Sequence, residues 1–245
     1  MRECAECAPA HRQSACSQGE VHMSELNRTS RNVLLRALPD EVSERLRPDL
    51  ELMAMRAGDV LYEADACIRH VYFPTDAIVS MMYVMPSGHC TEVAMIGREG
   101  MTGLSALLGA EKSIAQVAVQ TSGHGFRLPV RQMRAEFARG GELMAVLLRY
   151  IQSFIGQMAE TAACNRHGTL EQRLCRRLLL SLDRVPGGDL RMTHELIALA
   201  LGVKREGVTE AAGRLRRRGA IEYSRGRIRI LDRPTLEQSA CECYQ

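Results

Sequence analysis

The chain has no tryptophan, four phenylalanines and six tyrosines among its 245 residues. Its cores must therefore be built from aliphatic side chains and from 13 methionines, which fill irregular gaps well. No apolar run approaches the roughly 20 residues that span a bilayer. The opening MRECAECAPAHRQSACSQGE has none of the apolar stretch a secretory signal needs. These absences lead us to expect a cytoplasmic protein with no membrane partner. Catalytic signatures are missing too: there is no phosphate loop, no Gly-x-Ser-x-Gly and no His-Glu-x-x-His. Seven scattered histidines do not make a site. The expectation is a protein that is not an enzyme.

Length and a hydrophobic content of 46% fit two well-packed domains. The net charge of +3 is unevenly spread. From Gly168 onward there are 15 Lys and Arg against 10 Asp and Glu, while the residues before it carry 17 and 19. A basic end is a nucleic-acid end.

Within that basic end, Met192 to Leu215 reads as two short helices joined by a glycine turn. The Thr193 hydroxyl suits a cap on the first helix, and Leu196, Ile197 and Ala200 share one of its faces. Gly202 falls where the turn needs a positive φ. In the second helix Val208, Ala211, Ala212 and Leu215 form the buried stripe, leaving Lys204, Arg205, Glu206 and Thr209 outward near its N-terminus. A helix so presented fits the DNA major groove. A solvated helical hairpin would give the same pattern, but the residues that follow argue against it. Gly219 stops the helix, and Ile221 to Ile230 alternate around Ser224-Arg225-Gly226 as a β-hairpin. From Lys204 to Arg229 nine basic residues face three acidic ones, a cluster suited to phosphates. The pattern is a winged helix-turn-helix.

Leu199-Ala200-Leu201-Gly202-Val203-Lys204-Arg205-Glu206-Gly207-Val208-Thr209-Glu210 resembles the recognition motif of the Crp/Fnr superfamily of bacterial transcription regulators. The likeness extends upstream through Asn165-Arg166-His167 and Glu171-Gln172-Arg173-Leu174, and downstream through Tyr223-Ser224-Arg225-Gly226 to Cys241-Glu242-Cys243-Tyr244. It implies that Arg205 and Glu206 read base edges. The chemistry agrees, since Arg donates twice to guanine and Glu accepts from cytosine. Thr209 is a third expected base contact, and Thr193, Lys204, Arg214, Arg217, Arg225 and Arg227 are the expected phosphate contacts, with His167 and His194 expected as exposed helix residues or phosphate contacts. Glu210 departs from the family, where members reading the best-known half-site carry Arg at that position. A carboxylate cannot pair bidentately with guanine, so the operator sequence is left open.

The expected architecture is α+β. Residues 1–30 show no periodicity and are expected to be disordered, with Met23 an alternative start. Residues 31–140 carry short strand-like runs at Val60–Tyr62, Val71–Phe73, Ile78–Val84, Glu92–Ile96, Ile114–Thr121 and Gly125–Leu128, punctuated by Gly and Pro. The resemblance narrows these to a cupin-like β-roll sensor of the cyclic-nucleotide-binding type. Residues 141–164 form a long helix, residues 165–238 the winged domain and residues 239–245 a Cys-containing tail. On the helix, Leu143, Leu147, Tyr150, Phe154 and Met158 step by three or four residues. They suit either packing on the β-roll or a helix–helix seam, and the resemblance assigns the dimer interface to this helix. A two-fold dimer would read a pseudo-palindromic double-stranded operator, a signal on the β-roll being transmitted through the helix. RNA polymerase is the further partner the resemblance implies.

For an effector, Glu99, Lys112 and Ser113 are the candidate pocket residues. No Arg lies between Arg98 and Arg127, and Lys replaces a bidentate guanidinium only as a point charge. The cyclic AMP site is therefore read as lost and the effector as unknown. Of nine cysteines, Cys4, Cys7 and Cys16 resemble the N-terminal cluster ligands of the family's oxygen-sensing branch. The spacing differs, and Gln120 to Leu128 supplies no fourth cysteine. An iron–sulfur or thiol redox sensor is thus the alternative, with free thiols the plainer reading. Cys164 and Cys175 suit buried helix positions, and Cys241-x-Cys243 is too tight for an easy disulfide.

Overall fold

The computed structural model describes residues 31–185 and 189–244. Cys4, Cys7, Cys16 and Met23 lie outside the described residues.

Two short helices, α1 (Val33–Arg36) and α2 (Asp40–Leu46), flank the Leu38-Pro39 break. Asn32 caps α1 with its side-chain oxygen. Its amide donates to Pro74 O at 2.8 Å and Gly100 O at 2.9 Å, so a wholly buried polar side chain fixes the entry of the chain. Seven strands follow: β1 (Glu51–Met55), β2 (Val60–Tyr62), β3 (His70–Pro74), β4 (Ile78–Val84), β5 (Cys90–Ile96), β6 (Gln116–Thr121) and β7 (Gly123–Pro129). They form antiparallel sheets of order β1-β7-β3 and β2-β6-β4-β5. Helix α3 (Leu104–Leu107) sits between β5 and β6. The six expected runs each fall on a strand. Strand β1 is additional to them, because Glu-Leu-Met-Ala-Met favours a helix. Pairing with β7 overrides that preference.

After α4 (Val130–Ala138) comes α5 (Gly141–His167), 27 residues and about 40 Å long. It runs past the expected end at residue 164, because Asn165 to His167 contain no breaker before Gly168, where the backbone turns extended. Part of the stripe expected at a dimer seam packs on the chain's own β-roll. Leu143 and Leu147 are 1% exposed, in one core with Phe73, Met101 and Leu128. Tyr150 donates to Met101 O at 3.0 Å and accepts from Met101 N at 3.1 Å, and Phe154 packs on the same core. Met158 lines a cavity against the roll. The physical reason is that an apolar stripe at helical spacing satisfies the nearest sheet first, where a buried Leu contributes about 1.5–3 kcal/mol. The outer face still carries Met144, Leu148 and Ile155 in solvent.

The winged domain begins with α6 (Leu170–Arg184), opened by a Thr169–Gln172 capping box. Then come β8 (Asp189–Arg191), α7 (His194–Leu201), α8 (Arg205–Arg217), β9 (Ile221–Ser224), β10 (Arg227–Ile230) and α9 (Arg233–Ser239). The strands order as β8-β10-β9. Leu174, Leu178, Ile197, Val208, Leu215, Ile228 and Leu236 make one core, each at most 1% exposed.

Candidate nucleic-acid interface

Helix α7 starts where Thr193 Oγ1 accepts from Leu196 N at 3.2 Å and ends at Gly202, φ +62°. Lys204 then stands extended before α8, and no side chain caps that helix. Its first N–H groups are left to solvent, an arrangement that favours anions. Val208, Ala211, Ala212 and Leu215 are buried as expected. Arg205, Glu206 and Glu210 are exposed and, among the described residues, in no ion pair. The wing closes on a two-residue turn with Arg225 at φ 47° and Gly226 at φ 76°, the geometry of a type I′ hairpin. Arg217, Arg225 and Arg227 are exposed and likewise unpaired among the described residues.

Several expected contacts are placed differently. Arg214 is not free: its Nε bonds Glu171 Oε2 at 2.6 Å while Arg218 holds Oε1 of the same carboxylate at 2.8 Å. The two arginines anchor the far end of α8 to the start of α6 because Glu171 stands directly beneath them. Thr209 is exposed, but its hydroxyl donates to Arg205 O at 3.1 Å and lies 3.0 Å from His194 Nδ1. Its methyl is what remains for a base. His194, expected as an exposed helix residue or phosphate contact, is buried instead and stacks on Tyr223 with ring centroids 4.1 Å apart. Burial, and then the Arg205 charge, hold its pKa below the ordinary value. The sequence signal for this brace is weak. A helix-start histidine, a threonine 15 residues on and a wing tyrosine share no common period.

The expected effector residues do not share a pocket. Glu99 accepts from Arg184 Nε at 2.7 Å and from Gly97 N at 3.1 Å, joining roll to winged domain. Lys112 is exposed. Only Ser113 reaches the cavity between roll and α5, and its hydroxyl is spent on Ala115 O at 2.6 Å. The cavity holds about 200 Å³ and is lined by residues such as Tyr62, Met81, Met101, Leu104 and Phe154, with no charged side chain. Glu99 is drawn away from it because Arg184, 85 residues away in sequence, claims the carboxylate.

Strand β5 is where the two domains meet. Glu92 pairs with Arg177 and accepts from the Ser80 hydroxyl, which lies 2.9 Å from Gln120 Oε1. Gln120 in turn donates to Met192 Sδ at 3.4 Å. Arg177 and Glu92 are both nearly inaccessible to solvent. At Gly97 an added Cβ would lie 2.8 Å from Arg184 Cγ, so only glycine admits that side chain.

A β-roll packed on a long helix, followed by a winged helix-turn-helix that leaves Arg205, Arg217, Arg225 and Arg227 exposed and unpaired among the described residues, defines a DNA-binding regulator. Residues 172–239 match the model of the Crp-like helix-turn-helix domain. The global nitrogen regulator of Synechococcus elongatus is 27% identical over 77% of this chain and 89% of its own length. That of a Nostoc species is 28% identical over 75% and 86%. Among solved structures, a regulator of the Crp/Fnr family from Eubacterium rectale superposes with a TM-score of 0.67 at 16% identity, covering 85% of this chain and 98% of its own. A Crp/Fnr regulator from Thermus thermophilus gives 0.61 at 25%, covering 78% and 98%. The chain is a DNA-binding transcription regulator that carries a Crp-like helix-turn-helix domain and is similar to regulators of the Crp/Fnr family. The alternative of a redox sensor built on Cys4, Cys7 and Cys16 is not favoured by these likenesses. Among the described residues no helix is long and apolar enough to cross a membrane.

Proposed function

We propose that the chain acts as a two-fold dimer that reads a pseudo-palindromic operator through the first turn of α8. The observation that carries this is the pair Arg205 and Glu206, exposed and unpaired among the described residues at the start of a helix whose opposite face is buried. Arg205, Glu206 and the Thr209 methyl address bases. Thr193, Lys204, Arg217, Arg225 and Arg227 address phosphates, with Arg214 as anchor. The two copies pair along the outer face of α5, where Met144, Leu148, Ile151 and Ile155 step four, three and four residues, the spacing of a coiled-coil seam. The domain limits follow the cores: the roll to about residue 140, α5 as connector, then the winged domain.

The β-roll serves as the sensor, and its cavity suits a small uncharged molecule better than a cyclic phosphate, since no lining residue carries a charge to hold an anion. The reading assigns no catalysis. It places the protein with DNA in the cytoplasm and leaves RNA polymerase as a further partner implied by family resemblance. The named role of the cyanobacterial relatives, global nitrogen regulation, stays with them.

The test is selection of bound duplexes from a random pool, followed by affinity measurement with Arg205→Ala/Glu206→Ala. We expect a two-fold-symmetric consensus, and a loss of about 10²–10⁴ in specific affinity, from roughly 1–3 kcal/mol for each contact. Sedimentation should still give a dimer. Unchanged specific affinity would remove α8 from base recognition.

A further inference from the structure

Two thiols outside the interface are placed as reaction partners. Cys164, near the end of α5, and Cys241, just after α9, lie 77 residues apart in sequence with their sulfurs 2.8 Å apart. A covalent disulfide measures about 2.05 Å, so small side-chain rotations close the gap. Both residues are buried, at 3% and 7% exposure. Neither takes part in the DNA-reading surface described above. We propose that Cys164 and Cys241 form a reversible disulfide that pins the end of α5 to the tail of the winged domain.

Three features of the surroundings support the pair. The tail is held in place on its far side: Tyr244 donates its hydroxyl to Asp183 at 3.0 Å and accepts from Arg233 at 2.7 Å, and Tyr244 N reaches back to Cys241 O at 3.0 Å. Cys241 is therefore presented by an anchored segment. Opposite it, Gly168 leaves the space that Cys164 occupies; a Cβ there would lie 3.3 Å from the Cys164 sulfur and 2.7 Å from its carbonyl oxygen. Cys243 stands half-buried beside the pair, a third thiol within reach for exchange. Burial, and then the neighbouring Cys241, push the Cys164 thiol up to about 12, so Cys164 rests as a thiol at neutral pH.

The chemistry needs an oxidant, for which hydrogen peroxide serves. One sulfur, as thiolate, displaces hydroxide from the peroxide and becomes a sulfenic acid. The second attacks that sulfur, the S–S bond forms and the hydroxyl leaves as water. Two thiols and one peroxide give one disulfide and two waters. A small thiol returns the pair to its reduced state by exchange. Such bonds in reducing compartments are transient rather than structural. Because Gly168 N donates to Cys164 O at 2.8 Å at the junction of α5 and α6, the bond fixes the junction about which the winged domain is set on α5. The assignment stands on sulfur geometry and is independent of the DNA-binding reading.

The experiment treats the reduced full chain with hydrogen peroxide, blocks remaining thiols by alkylation and maps tryptic peptides. Wild type and Cys243→Ser should both yield the peptide from Tyr150 to Arg166 cross-linked to the C-terminal peptide through Cys241. The melting temperature should rise by roughly 5–10 °C and fall back with dithiothreitol, and amide exchange between residues 164 and 170 should slow. Cys164→Ser and Cys241→Ala should each lose the cross-link and the rise. The wild-type map stands alone if one variant fails to fold. Full alkylation of Cys164 after peroxide, or Cys241 found joined to Cys243 or to another chain, would overturn the pairing. A Cys164–Cys241 cross-link that neither raises the melting temperature nor slows exchange would overturn the pinning.

Discussion

Arginine does opposite work in two parts of the winged domain. On α6, Arg176, Arg177 and Arg184 each have side chains at most 8% exposed and are paired with Glu160, Glu92 and Glu99. On α8 and the wing, Arg205, Arg217, Arg225 and Arg227 stand in solvent, unpaired among the described residues. A charge left in water loses nothing by waiting for a phosphate. A charge taken inside must be compensated, because an isolated buried ion is far too costly. The basic excess of this domain therefore includes arginines already engaged within the fold, and only those left unpaired in solvent are available to DNA.

The largest effect that separates them is on stability. Arg177→Ala strands the buried Glu92 carboxylate, and removing one partner of such a pair costs about 3–5 kcal/mol. Urea denaturation should show that loss, while Arg177→Met with Glu92→Leu should recover most of it. Arg217→Ala should stay within about 0.5 kcal/mol of wild type. Equal destabilisation by Arg177→Ala and Arg217→Ala would erase the distinction.

The next effect is on affinity. Arg205→Ala should lose about 1–3 kcal/mol of discrimination at one base pair of each half-site and leave the melting temperature unchanged. Arg227→Ala should weaken all duplexes alike and reduce the slope of log affinity against log salt by about 0.9 for each phosphate no longer neutralised. Sequence-dependent weakening in Arg227→Ala would mean that the wing reads bases.

The fold is largely legible because its signals are local. Gly202 and Gly226 mark turns that need a positive φ, Thr193 caps a helix, and the β-roll strands sit between Gly and Pro residues. The exposed pair Arg205 and Glu206 is legible for the same reason, since the spacing of Val208, Ala211 and Leu215 fixes which face is outward. What sequence hides is long-range competition. Nothing near Arg214 in the chain says that Glu171 claims it, nor does Glu99 announce Arg184. The stripe on α5 is ambiguous in kind: the same three-and-four spacing serves a sheet or a second helix, and the nearer surface takes Leu143 and Leu147.

The smallest effect tests where His194 belongs. Its folded pKa is lowered by burial and then by Arg205, so the native state holds it neutral, donating through Nδ1 to Thr209 and stacked on Tyr223. As pH falls through the unfolded value of about 6.5, the unfolded chain takes up a proton the native chain refuses, and stability declines. The decline ends below the depressed folded value, where both states are protonated. One such group changes stability by at most about 1.4 kcal/mol per pH unit. His70, whose pKa is lowered by burial and then by Arg127, adds to the same window. The comparison must therefore be between wild type and His194→Gln, with melting temperatures taken from pH 7.5 down to pH 5. We expect the variant to be less stable at pH 7.5 and to lose less on acidification. An exposed phosphate-contacting histidine would behave the other way, with DNA affinity rising as it gained charge and the melting temperature barely moving. That second outcome would move His194 from the brace beneath α8 to the surface that meets DNA.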